Sequence, residues 1–246
     1  MSVDCRKYLK SARFVPNLTH GLLDLLELTT GQDLLDLGCG DGELTSRLID
    51  KGFNVTAVDI NEGMVEAARE RGIPAHCIDA RDLSFCDEFD IVLSNAVLHW
   101  FSEHDQVCQN VYRSLKPGGH FIAECGGYGN VDTIIKGIEA SISEDDQLGT
   151  FSNPWTFRSA EEFKDILIKT GFEVIDIQLI PRPTVTSCSL ADWLDTFLSD
   201  SHLQLNKSSR EEFFNRVSEK AYSALYDKQD GWILDYVRLR FIARKI

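Results

Sequence analysis

The stretch LLDLGCGDGEL, residues 34–44, places Gly38, Gly40 and Gly42 at alternate positions directly after an apolar run. A chain that leaves a buried strand and turns at once into a helix needs residues without a Cβ, so the stretch commits this region to a strand–turn–helix unit. A second apolar run, FNVTAVDI at 53–60, ends near Asp59, 21 residues after Gly38. Bare backbone at one strand end and a carboxylate at the next is the pattern of a nucleoside site, in which the acid accepts from ribose hydroxyls.

The spacing also bears on which nucleoside. A dinucleotide turn has the form G-x-G-x-x-G, with a helix N-terminus facing a pyrophosphate. Here the form is G-x-G-x-G, followed by Asp41 and Glu43, with Asp36 inside the first run. Carboxylates at that mouth repel phosphate and suit a cofactor with positive charge and no phosphate, as in S-adenosylmethionine; a nicotinamide dinucleotide is the weaker choice.

Around this unit the chain alternates short β-type runs with amphipathic helical stretches. The runs DLLDLG (33–38), FNVTAVDI (53–60), IPAHCID (73–79), FDIVLSN (89–95) and HFIAEC (120–125) are separated by ELTSRLIDK, EGMVEAARER and HDQVCQNVYRSL. The pattern resumes with the helix AEEFKDILIKTG and the strand FEVIDIQLI, and closes with the alternating WILDYVRLRFIARKI at 232–246. Strands alternating with helices predict right-handed crossovers, hence an α/β, doubly wound, mostly parallel seven-stranded sheet, with an antiparallel last strand and a helical cap. Gly52, Gly72 and Gly171 fall where helix C-caps need a left-handed residue. LKPGGH (115–120) predicts a helix stop and a turn into the next strand. One domain is expected, with core segments 30–125, 160–181 and 232–246 and cap segments 1–29, 126–159 and 183–229, the first holding an amphipathic helix at 17–28.

Charge and cysteine usage narrow the partners. A net charge of −14 is repelled by phosphate backbones, so no nucleic-acid partner is expected. No run approaches eighteen apolar residues, and the N-terminus carries no secretion signature, so neither a membrane span nor a leader is expected. Seven scattered cysteines without a C-x-x-C pair point to a reducing, cytoplasmic setting.

LLDLGCGDGELT, VDIN..M, IDARDL, FDIVLSNAVLHW and LKPGGHFIAECGGYGN together resemble the Rossmann-like S-adenosylmethionine-dependent methyltransferases. More narrowly they are similar to the trans-aconitate methyltransferases and their malonyl-carrier-protein methyltransferase relatives, and NPWTFRSAEEFKDILIKTGFEV and DYVRLRFIARK extend the likeness. The resemblance implies that Gly38, Cys39, Gly40 and Gly42 receive the methionine moiety, Asp59 the ribose, Asp79 with Ala80 the adenine amino group, and Ile60 and Met64 its ring. Asn95 matches the residue whose backbone faces the amino-acid end of the cofactor. Asp36 joins the cofactor-binding set, as does Phe14, which with Asn17 falls in a segment that lies over the cofactor in that group. His99 and Trp100, just past Asn95, sit where substrates approach the sheet edge. Tyr8, Phe14, Tyr128, Trp155, Trp193 and Trp232 are candidates for an aromatic lid, and core packing is the alternative for each.

The reaction follows by elimination within the family. Asn95 precedes AVLHW, without the D/N-P-P-F/Y loop of the amino methyltransferases, and no carboxylate cluster ends the fourth strand, so no metal is expected. A metal-free small-molecule methyltransferase remains, yielding S-adenosylhomocysteine, and the resemblance to the trans-aconitate and malonyl-carrier-protein methyltransferases implies O-methylation of a carboxylate. That nucleophile is ionised at neutral pH and needs no base; a phenol would need one, and His99 is the nearest candidate. An acid substrate needs a cation, and Arg158, Arg182 and Arg238 are candidates. The alternatives are C- or phenol-O-methylation of a quinone- or lipid-like substrate, and a non-catalytic protein that binds the cofactor.

Overall fold

The three glycines and the runs beside them set the first half of the fold as their chemistry requires. A computed structural model describes residues 31–144, 150–199, 201–204 and 207–246; Tyr8, Phe14, Asn17 and the helix expected at 17–28 lie outside these. β1 (Asp33–Leu37) is followed by α1 (Glu43–Asp50), β2 (Asn54–Asp59), α2 (Glu62–Glu70), β3 (Ala75–Cys77) and β4 (Phe89–Asn95). Then come α3 (His104–Ser114), β5 (Leu115–Gly126), α4 (Asp132–Ser143), α5 (Ala160–Thr170) and β6 (Phe172–Pro181). The chain continues through β7 (Thr184–Val185), α6 (Leu190–Phe197), α7 (Lys207–Leu225), β8 (Tyr226–Asp227), β9 (Gly231–Leu234) and β10 (Val237–Lys245).

Seven strands form one sheet in the order β3-β2-β1-β4-β5-β10-β6. β1, β2, β3, β4 and β5 pair in parallel, and β10 is antiparallel to both β5 and β6. After β1 the chain winds outward through β2 and β3, then crosses to β4 on the other side. This reversal opens a crevice beyond the carboxyl ends of β1 and β4. Leu34, Leu35, Leu93 and Phe121 are wholly buried between the helical layers, as a sheet covered on both faces demands. α5 starts with a reciprocal cap in which Ser159 and Glu162 satisfy each other's backbone N–H groups, and it ends on Gly171 at φ +112°.

The LKPGG stretch is a wide bulge rather than a plain turn: the β4–β5 register passes from Leu115 to His120. A larger difference lies in the closing run expected at 232–246. Gly231–Leu234 instead belongs to a separate three-stranded sheet, β7-β9-β8, and the long sheet is rejoined only at Val237. Asp235 explains the break: its carbonyl accepts from Val131 N–H at 3.1 Å and its carboxylate from Thr133 N–H at 2.9 Å, securing the start of α4. Alternation of period two continues through the break, so the pattern alone does not reveal it.

α4, α6 and α7 pack a second apolar cluster that includes Trp155, Trp193, Phe213, Leu234 and Tyr236. It stands beyond the carboxyl ends of the strands and roofs the crevice. No helix among the described residues is long and apolar enough to cross a membrane.

Candidate active site

Each glycine of the first turn has its own job. Gly38, at φ +82°, lies so close to Val97 that a Cβ would stand 2.1 Å from its Cγ2. Gly42, at φ +79°, starts α1, and a Cβ there would stand 2.3 Å from Ile73 Cδ1. At Gly40, φ +56°, a Cβ would meet nothing within 4 Å, because that face opens into the crevice. Gly38→Ala is therefore expected to cost about 2–4 kcal/mol of stability, and Gly40→Ala only about 1–2 kcal/mol. The Gly40 variant is nonetheless expected to lose cofactor affinity, so urea unfolding and calorimetric titration of the pair should rank them in opposite orders.

Four N–H groups of this turn, those of Gly38, Cys39, Gly40 and Gly42, are bonded within the protein. Those of Gly38 and Cys39 donate to Val58 O at 2.8 and 2.9 Å, and that of Gly42 to Cys39 O at 3.0 Å. Gly40 N–H donates to Asp59 Oδ2 at 2.9 Å, while Asn61 N–H donates to Asp59 Oδ1 at 2.8 Å. The turn thus withholds from a phosphate the donors that a dinucleotide site supplies. Asp41 pairs with Arg71 at 2.6 Å and Glu43 with Arg47 at 2.7 Å, so their charge is compensated. The uncompensated acids are the buried ones. Burial raises Asp36 to about 6 despite a 2.6 Å hydrogen bond from Thr45 Oγ1, and burial also raises Asp59, partly offset by its backbone donors. An open glycine cradle beside a buried carboxylate, with four of the turn's N–H groups already bonded within the protein, fits an adenosine carrying a cationic tail.

Gly38, Gly40, Asp59, Ile60, Met64 and Ala80 share one crevice wall, and Asn95, His99, Trp100, Trp155 and Arg238 another. The remaining candidates among the described residues do not line it. Asp36, within β1, is buried and accepts from Thr45 Oγ1 rather than facing the crevice. The Cys39 thiol points to Gly40 O, with its pKa pushed up by burial. Asp79 caps the turn at Ala80–Asp82 and pairs with Arg81 at 2.7 Å. Tyr128 is 68% exposed. Phe14 lies outside the described residues. Of the expected aromatic lid, Trp155 and Trp193 line the crevice and Trp232 packs against Tyr222 and Tyr226 instead. Lining residues absent from the expectations include Val97, Phe101, Asn130, Phe157, Phe197 and Tyr236. The W-x-F pair of NPWTF and the tyrosine two places before Arg238 were the available signals for Phe157 and Tyr236. Ala96 (φ +59°) and Val131 (φ +48°), two of the three non-glycine left-handed residues described, also face the crevice. Such strain in a β-branched residue persists only where its surroundings over-determine it, and it gathers at working sites.

His99 is held by Gly126 N–H, which donates to Nδ1 at 3.1 Å, leaving the proton on Nε2. Burial and the Arg238 charge push it down to about 3. His99 is thus a neutral hydrogen-bond donor across the physiological range, poorly suited to take a proton.

The arginines divide sharply. Glu124, 3% exposed on β5, is clamped by Arg182, whose Nη2 lies 3.0 Å from Oε2, and by Arg240, whose Nε lies 2.7 Å from Oε2. Arg158 meets Glu162 at 3.7 Å. Arg238 is 6% exposed and lines the crevice with its guanidinium 4.5 Å from the centre of the Tyr236 ring. No carboxylate among the described residues lies within ion-pair distance of it. Burial pulls its pKa below the usual guanidinium range. A buried cation facing a cavity, with no carboxylate paired to it directly among the described residues, suits an anion.

Comparison with known proteins agrees with this geometry. A family described as a methyltransferase domain matches residues 35–123. An uncharacterized methyltransferase of Schizosaccharomyces pombe is 35% identical over 98% of this chain and 96% of its own length. A trans-aconitate 2-methyltransferase of Mycolicibacterium gilvum is 40% identical, over 40% of each chain. Among solved structures, phosphoethanolamine N-methyltransferase 2 of Haemonchus contortus, bound to S-adenosyl-L-methionine, superposes with a TM-score of 0.60 at 20% identity, over 99% of this chain and 60% of that one, a likeness of fold. The chain belongs to the S-adenosylmethionine-dependent methyltransferases.

Proposed function

We propose that the protein methylates a carboxylate oxygen of a small molecule, with Arg238 as the anchor for the acid. The observation that carries this reading is the buried Arg238 guanidinium, which lines the crevice over the Tyr236 ring with no carboxylate of the described residues in ion-pair distance. Gly40 and Asp59 hold the glycine-turn side of the cofactor, Ile60, Met64 and Ala80 flank its base, and Asn95 lies at its amino-acid end. Asp79 serves the adenine through the turn it caps rather than by lining the crevice. When bound, the cofactor supplies an electrophilic methyl: an acceptor oxygen forms the C–O bond as the C–S bond breaks, and the electron pair leaves with sulfur. No proton needs to move. The protein's contribution is then alignment, an effect worth up to roughly 7–11 kcal/mol. The state of His99 favours this reading over a phenol acceptor, which would need a base.

Two measurements test it. Incubation with methyl-labelled cofactor and metabolite extracts should give a product whose label is released as methanol by mild alkali, as an ester requires; alkali-stable label would refute it. With the cofactor saturating, the rate should stay flat from roughly pH 6.5 to 8.5, because a carboxylate of ordinary pKa is already ionised and His99 stays neutral. A limb titrating near neutrality would point to a general base instead.

A further inference from the structure

The region around Arg238 says more about the acceptor than its charge. Among the described residues, Arg238 is the one charged cation lining the crevice, and the one acid, Asp59, has both oxygens engaged by backbone N–H groups. The wall beside Arg238 is aromatic. Trp155 and Phe157 lie nearly parallel, their ring centres 6.0 Å apart and their planes inclined by 13°. Trp193 packs against Trp155 at 5.9 Å, and its indole N–H donates to the Tyr236 hydroxyl at 2.8 Å, fixing the ring beneath the guanidinium. Gly126 permits this wall: a Cβ there would stand 2.5 Å from Phe157 Cε1.

We infer that the methyl acceptor is an amphipathic monocarboxylic acid, its carboxylate on Arg238 and its flat or chain-like apolar body along Trp155 and Phe157. The inference rests on the carboxylate reading above and deepens it. An apolar body gains by leaving water against these rings. Each further carboxylate would be stripped of water against aromatic faces, where the described residues lining the crevice offer no second cation, which is strongly unfavourable. A tri-acid such as trans-aconitate, named for the relative that matches 40% of this chain, is therefore a poor fit here. Polyanions also approach a protein of net charge −14 less readily.

The test compares acids on the full chain loaded with S-adenosylhomocysteine, by calorimetric titration, and on the chain with S-adenosylmethionine, by ester formation. The probes are 3-phenylpropanoate, octanoate, naphthylacetate, trans-aconitate and citrate. At least one of the three monoacids should bind ten or more times tighter than either polyacid and be esterified. Phe157→Leu, which keeps an apolar side chain at a half-buried position, should weaken the arylalkanoic acids severalfold while leaving cofactor affinity unchanged. Equal or tighter binding of the polyacids, or no binding of any acid, overturns the inference. Esterification of a polyacid that depends on Arg238 would overturn it while leaving the carboxylate reading intact. Methylation of a phenol with no acid esterified would remove that reading as well.

Discussion

Exchanging Arg238 for methionine is expected to lower kcat/KM for an acid acceptor on the order of 10²- to 10³-fold, because losing one member of a buried charge pair costs about 2–5 kcal/mol. Binding of S-adenosylhomocysteine, which we assign to the glycine turn and Asp59, should be nearly unchanged. The free protein should respond the opposite way. Arg238 is 6% exposed without a carboxylate in ion-pair distance among the described residues, so it stands desolvated before any acid arrives. Methionine, of similar length, fills the space without charge, so the variant should be as stable as the parent or more so, by up to a few kcal/mol. Calorimetric Tm and steady-state kinetics measured together check both halves. Parallel loss of stability and activity would mean that Arg238 serves packing. Arg240→Met is the contrasting control, because it takes one of two cations from buried Glu124 and should destabilise the fold.

Asp59→Asn should weaken cofactor binding by about 100-fold, roughly 3 kcal/mol. Both carboxylate oxygens accept backbone N–H groups, Gly40 at 2.9 Å and Asn61 at 2.8 Å. An amide has one acceptor oxygen, so its NH2 must face one of those donors, a loss of about 1–3 kcal/mol in the geometry of the turn itself. The remainder comes from removing the charge that receives ribose hydroxyls. Acid should mimic the variant. Burial raises the Asp59 pKa, so the ionised form, and affinity with it, should begin to fall at a higher pH than for an ordinary carboxylate. Titration calorimetry across pH measures both effects. An unchanged Kd in Asp59→Asn would remove Asp59 from the cofactor's binding set.

Much of this was readable from residue order. The β4 run FDIVLSN begins and ends where the strand does, and the 21-residue step from Gly38 brings Asp59 against the glycine turn. What stayed hidden depends on partners far along the chain. Nothing near Arg182, Arg238 or Arg240 marks which of them faces the crevice; the choice is made by Glu124, over fifty residues away on β5. The inward use of the turn's N–H groups is likewise set by Val58 and Asp59 on the neighbouring strand. Asp235 breaks an unbroken alternation because it holds the first turn of α4, a role that periodicity does not carry.

The position of β10 between β5 and β6 has a consequence for how the enzyme comes into being. β6 borders only β10 in the sheet, and β10 is the last of the seven strands in chain order. On an emerging polypeptide the glycine turn and Asp59 come early, whereas Arg238 arrives with the strand that also closes the sheet. A chain halted before Val237 would lack both Arg238 and the strand that joins β6 to the rest of the sheet, so the seven-stranded sheet is completed only by its last-made strand.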